Sequence, residues 1–528
     1  MKNCFFRHLV VRLASLALLC ALSPGAIVRA QKKGAPPRKL PSAEKIVGNY
    51  LKAVGGKKRL AAIKDATYVW ELQTKGQPRG DARSFMKAPV STRVETEAET
   101  RGRSVDAVSP RSAWRRTQDG QVRTLTDAEA GRARLAAVLA ASRFVDYKKL
   151  NVLARTVAFD ETLAEPSYVL EFSTKGGARL RYWFGAASKL LLKTEDQASG
   201  DGELFGEYRA EGGVLEPHRK ESTDEGKHDT AFVLREVRHN TGLSDALFDP
   251  PAAAEGLDIP ALLREVEANQ KEIDERVANY AFTEKRTERE INGKGELKKE
   301  KVTVSEIYPL PGGGEIHKVM SEDGVPLSAA RAAKQDKEIA DYVAKYERER
   351  EKKEQKKREE ERKGKKTDDD DDVGITVFLR ACEFVSPRRE YLRDRAAVVF
   401  DFRPRPGFKP NGTAESIVSK LTGVAWIDPV DKTVIRLEAK LAESYKIGGG
   451  VVASIRPGSA FVFEQTRMAD GVWLPRLVQV NFAARILFFK GIEENQTLEF
   501  SDYRRFDTEA SDYKLSAPAA NTPTQPQP

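Results

Sequence analysis

The sequence predicts an α+β protein made of two antiparallel-sheet units, each a sheet packed on helices. Three observations carry this. First, a helical pattern opens each half of the chain and gives way to period-two runs, the mark of half-buried strands. Second, the change of period falls on the same signature twice, Ala66-Thr67-Tyr68-Val69-Trp70 and Ala278-Asn279-Tyr280-Ala281-Phe282. Third, later blocks pair off in the same order, as a repeated unit requires.

The first unit is bounded at residues 42–251. Over 42–64, Ile46, Tyr50, Leu51, Val54 and Leu60 fall near helical spacing, with Gly55-Gly56 interrupting. From Ala66, Tyr68, Trp70 and Leu72 alternate with polar neighbours. Strand pieces follow at 84–86, 91–97 and 111–116. A helical stretch over 127–144 carries Leu135, Val138, Leu139 and Phe144. Strands resume at 167–173, 178–184, 189–195, 204–210, 214–220 and 230–238, and Asp249-Pro250-Pro251 closes the unit.

The second unit is bounded at 258–510. Its helical pattern, 258–279, carries Ile259, Leu262, Leu263, Val266, Ile273 and Val277. Tyr168–Phe172 then matches Val398–Phe402, and Tyr182-Trp183-Phe184 before Ser188-Lys189-Leu190 matches Ala425-Trp426-Ile427 before Asp431-Lys432-Thr433. Each of these is a hairpin signal. Gly213-Val214-Leu215-Glu216-Pro217 matches Gly471-Val472-Trp473-Leu474-Pro475. A charged insert, 327–373, interrupts the unit, with Lys, Arg and Glu dominant, no apolar stripe after Tyr346, and five acids at Asp368–Asp372. It reads as charged, partly helical and mobile. Consecutive acids on such a segment do not preorganise an oxygen cage for a cation. Residues 511–528, rich in Pro, Thr, Gln and Ala, read as a disordered tail.

The N-terminus reads as an export signal. Lys2, Arg7 and Arg12 precede an apolar run, and Val28-Arg29-Ala30 is a small-x-small cleavage site. Residues 1–30 are the expected signal peptide and 31–41 a linker, which places the mature chain in the periplasm. Leu19 precedes Cys20 where a lipidation signal needs a small residue, so no acylation is expected. No other segment is apolar enough to span a bilayer, which needs roughly 20 residues. Cys382 is then the only cysteine of the mature chain, which excludes an internal disulfide. The net charge of +10 suggests nucleic acid, but residues 1–39 hold eight basic residues and no acid, leaving +2 for the rest. Basicity therefore belongs to the targeting segment, not to a binding face.

No catalytic motif stands out. The chain has no H-E-x-x-H, G-x-S-x-G or G-x-x-x-x-G-K-[ST] pattern. Pro311–Gly314 and Gly448–Gly450 lack the following helix that a phosphate loop needs. His218 and His228 flank one hairpin with no third ligand nearby. No enzyme activity, cofactor or metal is expected. What rises above background is aromatic: Tyr68, Trp70, Trp114, Trp183 and Phe184 in the first unit, and Tyr280, Phe282, Trp426, Phe461 and Phe463 in the second. If the helices form a removable lid on a curled sheet, these ten side chains line an apolar cavity and bind its ligand.

With these blocks in view, the chain resembles the periplasmic lipoprotein-carrier superfamily, the LolA/LolB-like fold often named outer membrane lipoprotein-sorting protein. The resembling residues are Tyr50–Gly56 with Leu60, the strand at Tyr68, Ala113-Trp114, Phe205-x-x-Tyr208, Gly213-Val214-x-x-Pro217, Val237-x-x-Asn240 and Leu247–Pro251. Gly423-x-x-Trp426-Ile427-Asp428, Gly448–Gly450, Gly471–Pro475 and Tyr503-Arg504 look similar in the second unit. The resemblance implies two open half-barrels plugged by helices, and an interior that holds acyl chains of a lipid or lipoprotein. Two features depart from it: the second unit and the long charged insert. The competing expectation is a non-catalytic envelope sensor or scaffold, with the insert docking a protein partner.

Overall fold

The computed structural model describes residues 40–99, 102–223, 230–252, 256–277, 280–292, 296–311, 314–362, 375–447, 453–486 and 492–505. The expected signal peptide, most of the linker, the tail, Asp368–Asp372 and Gly448–Gly450 lie outside these residues. The fold is α+β, two large open antiparallel sheets with few helices.

The first sheet is preceded by helices α1 (Ala43–Ala53) and α2 (Lys57–Ala62). Ser42 caps α1 by accepting from the amide of Lys45, and the break between the helices falls at Gly55 and Gly56, both at positive φ. Strands β1 (Asp65–Thr74), β2 (Gln77–Lys87), β3 (Ser91–Ala98), β4 (Gly102–Val108), β5 (Ala113–Arg116) and β6 (Val122–Thr124) form one wing. Helix α3 (Asp127–Ala141) follows. Strands β7 (Leu153–Asp160), β8 (Ser167–Ser173), β9 (Arg179–Gly185), β10 (Leu191–Glu195), β11 (Gly202–Glu211), β12 (Val214–Ser222) and β13 (Thr230–His239) form the other wing. The wings join where β13 pairs with β1, so the order runs from β6 to β1 and then from β13 to β7. In this first sheet, three strands escape the sequence pattern: β4, β6 and β7. Edge strands such as β6 and β7 keep most positions half-exposed, so their periodicity is weak.

The second sheet has the same plan. Helix α4 (Ile259–Val277) precedes β14 (Tyr280–Ile291), β15 (Leu297–Leu310), β16 (Gly314–Glu322) and β17 (Val325–Pro326). Two helices follow, α5 (Ala329–Arg362) and α6 (Ile375–Ala381). The second wing holds β18 (Cys382–Leu392), β19 (Arg395–Pro404), the short helix α7 (Thr413–Val418), β20 (Leu421–Asp428) and β21 (Thr433–Leu441). It continues with β22 (Tyr445–Ile447), β23 (Ala453–Ile455), β24 (Ala460–Arg467), β25 (Trp473–Ile486) and β26 (Ile492–Arg505). Here β26 pairs with β14, as β13 does with β1. The matched sequence blocks take matching places: β8 and β19 each lie second from an edge, and β9 and β20 third.

Within the charged insert, residues 329–362 form one helix, and 363–373 lie outside the described residues. Ala332, Gln335, Ile339, Val343, Tyr346 and Arg350 are its half-buried positions, spaced three or four apart, as a single packed stripe requires. Gln335 exchanges hydrogen bonds of 2.9 and 3.0 Å with the backbone of Val319 on β16, and the Tyr346 hydroxyl donates to Pro311 O at 3.1 Å. In chain order the helix falls between the two wings, as α3 does in the first unit. Its composition hides the stripe, because a glutamine and an arginine stem occupy apolar positions.

Strand β19 is buried on both faces. Val398, Phe400 and Phe402 face the helices, where Ile259, Leu262, Leu263 and Val266 of α4 pack on Val398 and Phe400, and Val377 and Ala381 of α6 on Phe402. Ala397 and Val399 face the other way, onto Trp426 and Trp473. Asp401 continues that second face toward the first sheet. Glycine is required at Gly423 on β20, because a Cβ there would stand 1.8 Å from Glu438 O on β21. Gly423→Ala is expected to cost at least about 1–3 kcal/mol, the usual penalty of overpacking. An unchanged urea midpoint would contradict the tight β20–β21 approach.

The sheets meet through polar groups. Edge strand β18 lies against edge strand β6, where Glu390 accepts from the Thr124 amide at 2.8 Å and hydroxyl at 2.7 Å. Arg388, fully buried, donates to Thr124, Glu390 and Asp401. Arg436 of β21 reaches Asp127 at the start of α3 at 2.8 Å.

Candidate functional site

The apolar face of β8, β9 and β10 forms a chamber, and the chain fills it with its own aromatic side chains. From the sheet come Leu170, Phe172, Leu180, Tyr182, Phe184 and Leu191, at every second position, as one face demands. From the helices come Ile46, Val47 and Tyr50 of α1, and Leu135 and Leu139 of α3. The turn after α3 adds Phe144 and Tyr147. Phe144 is the centre of this plug. Its ring lies 5.4 Å from Tyr50, 5.5 Å from Phe172, 5.6 Å from Tyr182 and 5.8 Å from Phe184, mostly edge-on. Such pairs contribute about 0.5–1.5 kcal/mol each beyond area burial.

The backbone that inserts Phe144 is unusual. Arg143 and Phe144 both adopt left-handed φ, 52° and 60°. For a bulky residue this conformation persists only where the surroundings hold it. The holder is a polar cluster at the end of the plug. Arg143 donates to Glu216 Oε1 at 2.8 Å and to the Tyr68 hydroxyl at 2.5 Å. The Tyr68 hydroxyl lies 3.2 Å and His239 Nε2 3.1 Å from the same Glu216 oxygen. Burial opposes the charge on Glu216, yet the Arg143 charge and the hydrogen bonds from His239 and Arg143 hold its carboxyl below the ordinary range. Burial raises the Tyr68 hydroxyl well above its ordinary value, so it stays a donor. A salt-bridged latch thus ties the turn after α3 to β1 and β12.

At the α1 end of the chamber lies a cleft of about 190 Å³, lined by Pro41, Lys45, Ile46, Asn49, Tyr168, Phe184, Gly185 and Lys189. Ligand pockets usually span about 300–1,000 Å³. The cleft therefore admits no whole acyl chain unless the plug moves.

The ten aromatic residues singled out in the sequence do not converge. Phe184 belongs to the chamber and the cleft. Tyr68 joins the latch and stacks on Trp70 at 5.9 Å, and Trp70 donates to Ser84 Oγ at 3.2 Å. Trp183 points to the opposite face from Phe184, donating to Asp160 at 2.7 Å with Lys193 over its ring. Trp114 packs with Val105 and Ala107 and donates to Phe248 O at 2.9 Å. In the second sheet, Trp426 lies on the face away from α4, beneath Arg436. Phe461 and Phe463 pair with Ala439 and Leu437, on the helix-covered face. Tyr280 donates to Asp470 at 2.5 Å, and Phe282 packs on Phe500 and Tyr503. Phe144, Tyr147, Phe172, Tyr182, Arg143 and Glu216 escape sequence reasoning as site residues. The alternation along β8 and β9 marks Phe172 and Tyr182; nothing local marks a latch formed by residues 73 apart. His228 lies outside the described residues, and His218 Nε2 stands 3.0 Å from Glu211.

No family model matches the chain, and no curated protein matches it. Solved structures do. A DUF1329 family protein from Desulfovibrio piger is 13% identical, with 39% of this chain and 96% of that one covered and a TM-score of 0.27. A LolA superfamily protein from Nitrosomonas europaea is 12% identical, with 40% and 98% covered and a TM-score of 0.28. The Pseudomonas aeruginosa MucA/MucB complex is 8% identical, with 87% and 99% covered and a TM-score of 0.17. Among the described residues, no helix is long and apolar enough to cross a membrane.

Proposed function

We propose that this chain is a non-catalytic, exported binding protein that carries acyl chains of a lipid or lipoprotein in the apolar face of its first sheet. One observation carries the reading: the chamber is closed by a plug, not by the sheet itself. Tyr50, Phe144 and Tyr147 belong to α1 and the turn after α3, and the latch at Arg143 ties that turn to β1 and β12, beside the Lys57–Asp146 and Lys148–Glu44 pairs that tie it to α2 and α1. Withdrawal of the plug would expose Phe172, Tyr182 and Phe184 to a guest of the same polarity. An acyl chain would replace one apolar filling by another, with roughly 0.8 kcal/mol for each methylene taken out of water. Of the ten aromatics expected to bind ligand, Phe184 is the one this reading uses directly. The second sheet, with its shared strand order and matched blocks, is read as a duplicate of the first unit. The units are taken to span 42–251 and 258–510.

The test is uptake. The purified protein should co-purify with lipid detectable by mass spectrometry, or take up a fluorescent fatty acid. Protein that is consistently empty and takes up no probe would refute the carrier reading. One observation favours the alternative, an envelope scaffold: helix α5 lays one stripe on β16 and leaves a long charged face exposed. On that reading, deleting residues 347–372 removes a pull-down partner and leaves probe uptake unchanged.

A further inference from the structure

We propose that the junction of the two sheets contains a binding site for a small oxyanion, phosphate or a phosphate headgroup, formed by Arg111, Arg134 and Lys440. The three side chains come from distant parts of the chain. Arg111 lies in the turn between β4 and β5, Arg134 on α3, and Lys440 on β21. Arg134 Nη2 lies 3.5 Å from Arg111 O and 3.5 Å from Glu438 Oε2. Glu438 shares a strand face with Lys440, since side chains two apart on β21 point the same way.

The cluster has donors left over. The Arg111 side chain is only 9% exposed. Its Nη2 donates to Asp249, but its buried Nε has no acceptor; the Asp401 carboxylate is 3.7 Å away. The buried Nε of Arg134 has no acceptor either. Among the described residues, no hydrogen bond or ion pair reaches Lys440 Nζ. The nearby acids Asp401 and Glu438 are shared with other donors, so neither is given wholly to the cluster. Asp401 accepts from Arg388 at 3.0 Å and Ser112 at 2.7 Å, and Glu438 accepts from Arg436 at 2.9 Å.

Buried donors in native proteins are nearly always paired, so two unused guanidinium donors on residues that touch point to an absent acceptor. An oxyanion supplies several acceptor oxygens, and guanidinium forks match phosphate geometry. Burial and the Arg134 charge push the Lys440 amine down to about 7, against the pull of Glu438 and Asp401. Arg134 is 26% exposed and Lys440 half-buried, so the cluster is open to solvent. This site is independent of the acyl chamber.

The experiment uses the purified full chain with inorganic phosphate, with sodium chloride at matched ionic strength as reference. Phosphate should raise the melting temperature saturably, as a ligand of the folded state does. Lys440→Met and Arg134→Met should each weaken phosphate binding about tenfold or more, through loss of a charged partner. Phosphate no better than matched chloride, or wild-type affinity in both variants, would overturn the site. Should either variant fail to fold, crystals of the wild type grown with selenate decide: an anomalous peak between Arg111, Arg134 and Lys440 supports the site, and a peak only elsewhere overturns it. Dihexanoyl phosphatidate distinguishes the sources. Tighter binding than inorganic phosphate indicates a lipid headgroup, and equal or weaker binding indicates free phosphate.

Discussion

Arg388→Met is expected to destabilise the protein by roughly 3–5 kcal/mol, the cost of removing one partner from a buried charge cluster. Arg388 is fully buried and donates to Glu390 at 2.6 Å, to Asp401 at 3.0 Å and to Thr124 at 2.6 Å. Its loss leaves the buried Glu390 without its cation and Asp401 with only the more distant Arg111. Both also bind the first sheet, Glu390 at Thr124 and Asp401 at Ser112. The effect should therefore fall on the coupling of the sheets. Urea unfolding followed by two probes, one in each sheet, should lose coincidence in the variant. The triple variant Arg388→Met, Asp401→Asn, Glu390→Gln should recover part of the loss, because no unpaired charge remains. A loss below about 1 kcal/mol with coincident transitions would mean that the cluster does not join the sheets.

Arg143→Met is expected to cost about 3 kcal/mol by the same principle, and to speed uptake of a fluorescent fatty acid. Both effects follow from one geometry. Arg143 neutralises Glu216 under the plug, and its left-handed backbone directs Phe144 into the chamber. Destabilisation without faster uptake would leave Arg143 a structural residue and remove the latch from the carrier reading. Glu216 makes the matching prediction in pH. Its carboxyl is held below the ordinary range, so its contribution is present above that range and is lost as pH falls through the folded value. Between about pH 7 and about pH 3, the urea midpoint of the wild type should fall more steeply than that of Glu216→Gln. Equal slopes would mean that Glu216 gains nothing from Arg143.

Much of the architecture was legible because it is written in local period. The alternation of Ala66, Tyr68, Trp70 and Leu72 is the buried face of β1, all four below a tenth exposed. Gly55 and Gly56 end α1 where the helical pattern breaks. The matched blocks predicted strands that do occupy matching places in two sheets. The candidate site was less legible. Phe184 and Trp183 are neighbours in sequence and equally aromatic, yet they face opposite sides of β9. Composition cannot tell them apart; only the register of the sheet does. The stripe on α5 was hidden by polar residues that bury their stems.

The sequence by itself determined the open α+β class, the position of most strands and the repeat of hairpin signals, since these depend on periods of two and near four that neighbouring residues express alone. Tertiary structure decided which aromatic residues plug a chamber, that Arg143 meets Glu216, and that Arg388 and Arg436 join two sheets. These contacts link residues far apart in the chain, and a charge carries no mark in sequence of the partner that burial will give it.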